Sequence, residues 1–283
     1  MKHIDFCHIA PTKHLDLVKN RNNHLVLAHL IEQDEEYTNF YKKEKENGAT
    51  IIMDNSAFEM YKQGRPMYDS AKLIEMGKRV NADYIALSDY PDEHSSKTIM
   101  AAKEHAPIVK EHGFGTFFIP QSKIGDLEDL KACFVWARES DLVDYIGLSI
   151  LAIPNAYGVE KDNKMQRFVS RFMFMEELEK INYFPTHKKM HALGMVDGPN
   201  EIKLLRTWFE TDDLHTWDSS AAVWAGLNNI TFDESPTGLL NGKFEKEVDF
   251  SAEWKDPKRI AKAQENMQYI DGLFYDNDNY HSL

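Results

Sequence analysis

Cysteine is nearly absent from this 283-residue chain: Cys7 and Cys133 stand far apart and without a CxxC spacing. That excludes a disulfide scaffold and a cysteine-rich zinc site, and makes a reducing cytoplasm the expected setting. No run of ~18 consecutive apolar residues occurs, which excludes a membrane-spanning helix. The opening Met1-Lys2-His3-Ile4-Asp5 lacks the apolar stretch of a secretion signal, so none is expected. No glycine-rich phosphate loop follows the first apolar run, which argues against a dinucleotide-binding fold. Positive charge is scarce too, since 33 Lys and Arg against 46 Asp and Glu give a formal net charge of −13. Broad phosphate-binding surfaces depend on Lys and Arg and are disfavoured by that balance, whereas one local basic face is compatible with it.

What the chain does have is a regular alternation of short apolar runs and amphipathic stretches, with 42% hydrophobic and 12% aromatic residues to build one large core. Strands are predicted at 3–9, 24–30, 49–53, 83–88, 115–120, 144–149, 189–194 and 214–217. Runs such as Tyr84-Ile85-Ala86-Leu87 and Thr116-Phe117-Phe118-Ile119 are apolar throughout, as parallel strands covered on both faces require. Between them, 70–80 puts Leu73, Ile74, Met76 and Val80 on one stripe behind Asp69 or Ser70 as cap. Likewise 126–138 aligns Leu127, Leu130, Phe134 and Ala137, and Pro199-Asn200 opens a helix carrying Ile202, Leu205 and Phe209. Eight strands alternating with helices predict an α/β protein with a (β/α)₈ TIM barrel over 1–228, and an open doubly wound sheet as the alternative. Residues 229–283 then form a C-terminal extension: a turn-rich stretch, Asp233-Glu234-Ser235-Pro236, and a closing helix over 257–272 packed on the barrel. The polar stretch 153–169 is expected to be a long active-site loop.

In such a barrel the loops at the carboxyl ends of the strands build the active site, so polar residues ending each apolar run are the candidates. They are Asp54-Asn55-Ser56 after the third strand, Asp89 after the fourth, Gln121 after the fifth and Asp218 on the eighth. Singly, each has an ordinary explanation. An Asp after a strand usually caps the next helix or a turn, as Asp218 before Ser219-Ser220 and Asp89 before Tyr90-Pro91 could. Together on one rim, three carboxylates and a carboxamide point to chemistry. His3 with His8, or His187 with His191, invite a metal reading. The second pair spans a loop-to-strand boundary, so no metal is assigned, and no cofactor is implied.

The order of these motifs resembles the tRNA-guanine transglycosylase (queuine tRNA-ribosyltransferase) superfamily, over roughly residues 1–228. Asp54-Asn55-Ser56-Ala57-Phe58-Glu59 resembles that family's Asp, small residues, Phe-Gln run. Asp89 and Gln121 match its base-contacting Asp and Gln. Gly147-Leu148 matches its Gly-Leu pair, Leu193-Gly194 its turn on the penultimate strand, and Trp217-Asp218 its catalytic Asp after an aromatic residue. The chain departs from the family at Glu59, where Gln is usual, and in lacking the cysteine cluster that binds zinc. In this it is most similar to the zinc-free DNA-modifying paralogues of phages and genomic islands, which imply action in a host cytoplasm.

The resemblance implies a base-exchange pentosyltransferase that replaces guanine in DNA by a 7-deazaguanine of the preQ0 type. Retention at C1′ takes two displacements through a glycosyl-enzyme intermediate. Asp218 would be the nucleophile and Asp54 the acid/base; Asp89, Gln121, Gly147, Leu148, Asn55, Leu193 and Gly194 would hold the base. Phe58 would stack on it, although plain core packing is as common a role for such a residue. Phosphates would be met by Lys13, with Lys19 and Arg21, and by Lys161, Lys164 and Arg167, each of which otherwise reads as solvated surface charge. The alternatives are the same chemistry on tRNA, a hydrolase or transferase of free nucleosides, which the net charge favours, and a non-catalytic barrel binding a nucleobase or a protein.

Overall fold

The apolar runs become eight parallel strands in one sheet: β1 (Asp5–His8), β2 (Asn23–Leu27), β3 (Thr50–Asp54), β4 (Tyr84–Ala86), β5 (Gly115–Phe118), β6 (Tyr145–Ser149), β7 (Lys189–Leu193) and β8 (Leu214–Ser219). The computed structural model describes residues 4–183, 187–196, 198–205, 214–232 and 248–275. Neighbours run β1-β8-β7-β6-β5-β4-β3-β2. The remaining seam, between β1 and β2, is bridged by Asn23 Nδ2 donating to Asp5 Oδ2 at 2.6 Å. The result is a nearly closed barrel with helices interleaved, the (β/α)₈ architecture.

The helices are α1 (Ala28–Gln33), α2 (Glu35–Glu46), α3 (Ala57–Lys62), α4 (Ser70–Val80), α5 (Ser95–Glu111), α6 (Leu127–Glu139), α7 (Ala152–Ala156), α8 (Lys164–Lys180), α9 (Asn200–Leu205), α10 (Ala221–Leu227) and α11 (Pro257–Tyr275). Their starts follow side-chain capping of free backbone N–H groups. Asp69 accepts from Lys72 N at 2.8 Å ahead of α4, and Asp126 from Asp129 N at 3.1 Å ahead of α6. None of the described helices is long and apolar enough to cross a membrane.

Three boundaries differ from expectation. The second strand ends at Leu27, because Ala28–Gln33 winds into α1 and buries His29, Leu30 and Ile31. The stretch 153–169 is not one long loop: α7 covers its start and α8 its end, leaving 157–163 as the connection. Pro154 sits inside the first turns of α7, where a missing N–H costs nothing. The final helix runs three residues further than expected, to Tyr275. Phe209 and the stretch Asp233-Glu234-Ser235-Pro236 lie outside the described residues.

Strand parity decides which side chains face the barrel interior. A Cβ at Gly147 would meet Leu193, Ile119 and Phe117, and the rings of Phe117 and Tyr145 lie against His191. Outside the sheet, α11 closes the structure. Its Ala263 backbone lies against Gly226 of α10, and Asn266 satisfies Phe232 N, Ala222 O and Ile230 O. Asp271 reaches His8 at 3.0 Å and Arg21 at 2.9 Å, tying α11 to the β1 side of the seam.

Candidate functional site at the carboxyl ends of the strands

Asp218 lies within β8, not after it, and is 5% exposed. The hydroxyl of Ser219 accepts from Ala221 N at 3.0 Å, so α10 does not draw on Asp218 as a cap. Instead Asp218 Oδ1 accepts from His191 Nε2 at 2.8 Å and from the Gly194 amide at 3.1 Å. Among the described residues nothing donates to Oδ2. His191 is fully buried, with Nδ1 2.6 Å from Thr216 Oγ1, which in turn hydrogen-bonds the Tyr145 hydroxyl. A carboxylate oxygen only accepts, so Nε2 is the donor towards Asp218, while Nδ1 lies within hydrogen-bond distance of the Thr216 hydroxyl. The chain Tyr145–Thr216–His191 thus ends on one oxygen of one carboxylate.

Gly194 earns its place by conformation. Its φ of +70° is a left-handed setting, and a Cβ there would sit 2.7 Å from Ile150 Cγ2. Its carbonyl accepts from Trp217 Nε1 at 2.8 Å and from Arg171 at 3.0 Å.

Asp54 ends β3 opposite Leu27 of β2 and is partly exposed at the barrel mouth. Its Oδ2 accepts from Ser56 N at 2.8 Å. Burial raises its pKa well above the carboxylate range, reinforced by the charges of Glu59, Asp89 and Asp218 and only partly opposed by the Ser56 N–H. Ser56 adopts a left-handed φ of +56°, and its hydroxyl is 2.9 Å from His29 Nδ1. Glu59, the departure from the family pattern, is partly buried on α3; burial, then the Asp218 charge, raises its pKa as well. The family pattern marks Glu59 only as an oddity; the structure makes it a fourth carboxyl of the rim.

Asp89 is 2% exposed and bound on both sides. Asn55 Nδ2 donates to Oδ1 at 2.7 Å, also reaching Leu87 O at 2.6 Å, and Gln121 Nε2 donates to Oδ2. Despite these bonds, burial pushes its pKa up to about 6. Asn55, Asp89 and Gln121 therefore form one buried polar network.

The other candidates divide. Gly147 is an interior position of β6, whereas Leu148 points to the opposite face, 1% exposed in the helix layer, so its side chain does not reach the barrel interior. Leu193 lies inside, its Cδ1 closest to where a Gly147 Cβ would be. Phe58 is 43% exposed on the first turn of α3 with Lys62 Nζ 5.0 Å from its ring centre, so it is not packed in the core. Lys13 pairs with Glu36 at 3.3 Å. Lys19 lies 3.8 Å from Asp16, and Arg21 is bound to Asp271, at the opposite end of the barrel from the carboxylates. Arg167 donates to the carbonyls of Lys161 and Ile150, and Lys164 begins α8.

Around the mouth the loops are laced together. Tyr61 reaches Asp92, Asp92 accepts from Asn155 Nδ2 at 2.8 Å, and Asn155 O accepts from Gly125 N at 2.8 Å. On the β1–β2 side, Phe250 O accepts from Thr12 N at 2.8 Å while its ring lies 5.8 Å from that of His29. Two concavities, about 360 and 430 Å³, open at the amino-terminal ends of the strands. Of their charged lining residues Asp83 is paired with Lys45, Asp144 with Lys110 and Arg21 with Asp271, while Lys189 donates to the Tyr84 hydroxyl at 3.1 Å; in this fold chemistry belongs to the other end of the barrel. Among the described residues no three His, Cys, Asp or Glu side chains converge as metal ligands.

Sequence reasoning weighed His191 only as a metal candidate with His187, missing its bond to Asp218, and it missed Arg171, which holds the Gly194 carbonyl. Only the parity of His191 with Leu193 on an apolar strand hinted that its ring points inward. No protein-family model and no curated protein matches the chain.

Proposed function

We propose that the chain is a base-exchange glycosyltransferase acting at the C1′ of a purine nucleotide, with Asp218 as nucleophile and Asp54 as acid/base. One observation carries the reading: two carboxyl groups on a single rim are set apart in role by their surroundings. Asp218 has one oxygen held by His191 and Gly194 and, among the described residues, the other without a donor, as a nucleophile needs. Asp54 is biased towards its protonated form, as an acid for a departing base needs. Attack by Asp218 Oδ2 on C1′ breaks the glycosidic bond, and Asp54 delivers its proton to the leaving purine. An incoming base then returns its proton to Asp54 and displaces Asp218, restoring both groups and the configuration at C1′. Opening of the Asn55–Asp89–Gln121 network supplies donors and an acceptor for a purine edge, discriminating by about 1–3 kcal/mol per paired contact.

The motif order favours guanine in DNA as the target and a 7-deazaguanine as the incoming base, in a cytoplasm where Cys7 and Cys133 stay reduced. A polymer would present its base unstacked. A second reading, the same chemistry on a free nucleoside, gains support from the prior engagement of Lys13 and Arg167 with protein groups. The test is incubation with labelled guanine or 7-deazaguanine and separate DNA, tRNA and nucleoside substrates. Label is expected in DNA; nucleoside cleavage without polymer labelling selects the second reading, and no transfer or cleavage refutes both.

A further inference from the structure

Behind β7 and β8 lies a charged pair with no part in the chemistry above. Arg171 of α8 and Glu201 of α9 are both fully buried, with Arg171 Nε 3.0 Å from Glu201 Oε1. Burial pushes the Glu201 pKa up to about 7 against the pull of Arg171. An ion pair removed so completely from water is seldom retained for stability, because apolar residues of like volume fill such a site as well or better. Its contacts converge on one turn. Arg171 Nη2 donates to the carbonyls of Leu193 and Gly194, each at 3.0 Å, and its guanidinium lies 5.1 Å from the Trp217 ring centre. Glu201 Oε2 accepts from Val196 N at 3.3 Å. The same turn, by its remaining amide, donates Gly194 N–H to Asp218 Oδ1.

We infer that Arg171 and Glu201 are positioning residues for Asp218: they clamp residues 193–196 so that the Gly194 amide holds one carboxylate oxygen and leaves the other to react. Its functional half rests on Asp218 being the nucleophile; its geometric half does not. Through Leu193 O, Arg171 fixes the Leu193–Gly194 peptide plane that carries the Gly194 N–H; through Gly194 O it fixes the next plane, and Glu201 holds the turn at the Val196 amide, which leaves the Gly194 N–H one direction to point. The planar guanidinium lets Nη2 donate to two adjacent carbonyls while Nε faces the carboxylate as an ion-pair contact, an arrangement that a single ammonium does not reproduce.

The experiment pairs hydrogen exchange with kinetics on the double variant Arg171→Met/Glu201→Met, which removes both charges and fills the space. In glycine-labelled protein the Gly194 amide is expected to exchange at least ~10-fold faster than in wild type, with Gly147 in β6 unchanged as internal control. Base exchange is expected to lose kcat by ~10–100-fold with KM within about twofold, the pattern of a misplaced nucleophile. A folded double variant with wild-type Gly194 protection overturns the clamp. Should that variant not fold, Arg171→Lys, which keeps the charge beside Glu201, is read the same way: faster Gly194 exchange supports the clamp and unchanged exchange refutes it. A wild-type protein that moves no base removes the nucleophile reading, while the Gly194 measurement still decides the clamp.

Discussion

At Asp218 one carboxylate oxygen is tied and the other is available, and His191 sets that asymmetry. Removing a single preorganised donor to a reacting group typically costs 10²–10³ in rate. His191→Phe keeps the ring but not the Nε2–H, so kcat for base exchange should fall on the order of 10²-fold with KM little changed. Asp218→Asn, which removes the nucleophile, should cost on the order of 10⁴-fold. Intact mass after denaturation should show a glycosyl adduct for wild type and none for Asp218→Asn; equal turnover by the two proteins would refute the assignment. Asp89 makes a second prediction at this scale. Its folded pKa of about 6 lies above the ordinary 3.8, so the folded state holds this proton more tightly than the unfolded chain does. The stability from that proton is present below about 3.8 and lost as pH rises through about 6, at most about 3 kcal/mol in all. Thermal melts of Asp89→Asn against wild type should therefore diverge from pH 4 to pH 7, the variant faring relatively better at pH 7. Parallel curves would show that Asp89 is not strained by its burial.

Among the elements, the least expected coupling is that of α11 with α10. A methyl added at Gly226 would stand 2.2 Å from Ala263 N and 2.3 Å from its Cα, backbone atoms that cannot yield unless the helices part. Gly226→Ala should thus cost about 3 kcal/mol or somewhat more, lowering Tm by ~6–12 °C. Gly272→Ala, on α11 with nothing within 4 Å, should hold Tm or raise it slightly. Similar losses from both would mean that α11 does not seat on Gly226. The close approach is invisible in the sequence. What was legible follows local rules. Apolar runs such as Ile51-Ile52-Met53 gave β3, and the Asp69 and Asp126 caps gave the starts of α4 and α6 within a residue. Parallel pairing of successive strands then brought Asn55, Asp89 and Gln121 together, as their places after three adjacent strands implied. Local rules failed where tertiary contact decides. A proline and polar residues hid α7 and the start of α8, and a lone histidine on an apolar strand gave no sign that it meets Asp218. The Arg171–Glu201 pair joins two helices across a turn, and no periodicity reports that.

For the molecule as a whole, a net charge of −13 bears on the proposal that the substrate is a nucleic acid. Many of its cations are already committed: Lys45, Lys110 and Lys131 to Asp83, Asp144 and Glu177, and Arg167 to backbone carbonyls. On the carboxyl-end side, Lys161, Lys164 and Arg167 are one of the two groups that the sequence offers as phosphate contacts, and Phe58 and Tyr61 on α3 are exposed. A single-stranded oligonucleotide that draws Arg167 from its backbone carbonyls and is held by all three cations releases few counterions, so log K against log salt should have a slope of about −2. Most of its affinity would come from stacking, about 1–3 kcal/mol per base, with Phe58 as the exposed ring nearest Asp54 in sequence. Lys161→Ala should then make the slope shallower by just under one unit while weakening all sequences alike. Phe58→Ala should weaken binding with the slope unchanged. Both follow from fluorescence anisotropy titrations between 50 and 200 mM salt. A slope steeper than about −5 would require a basic surface that these residues do not make. A slope near zero, with nucleoside still cleaved, would mean that the acidic body excludes polymers and that the barrel works on a free nucleoside.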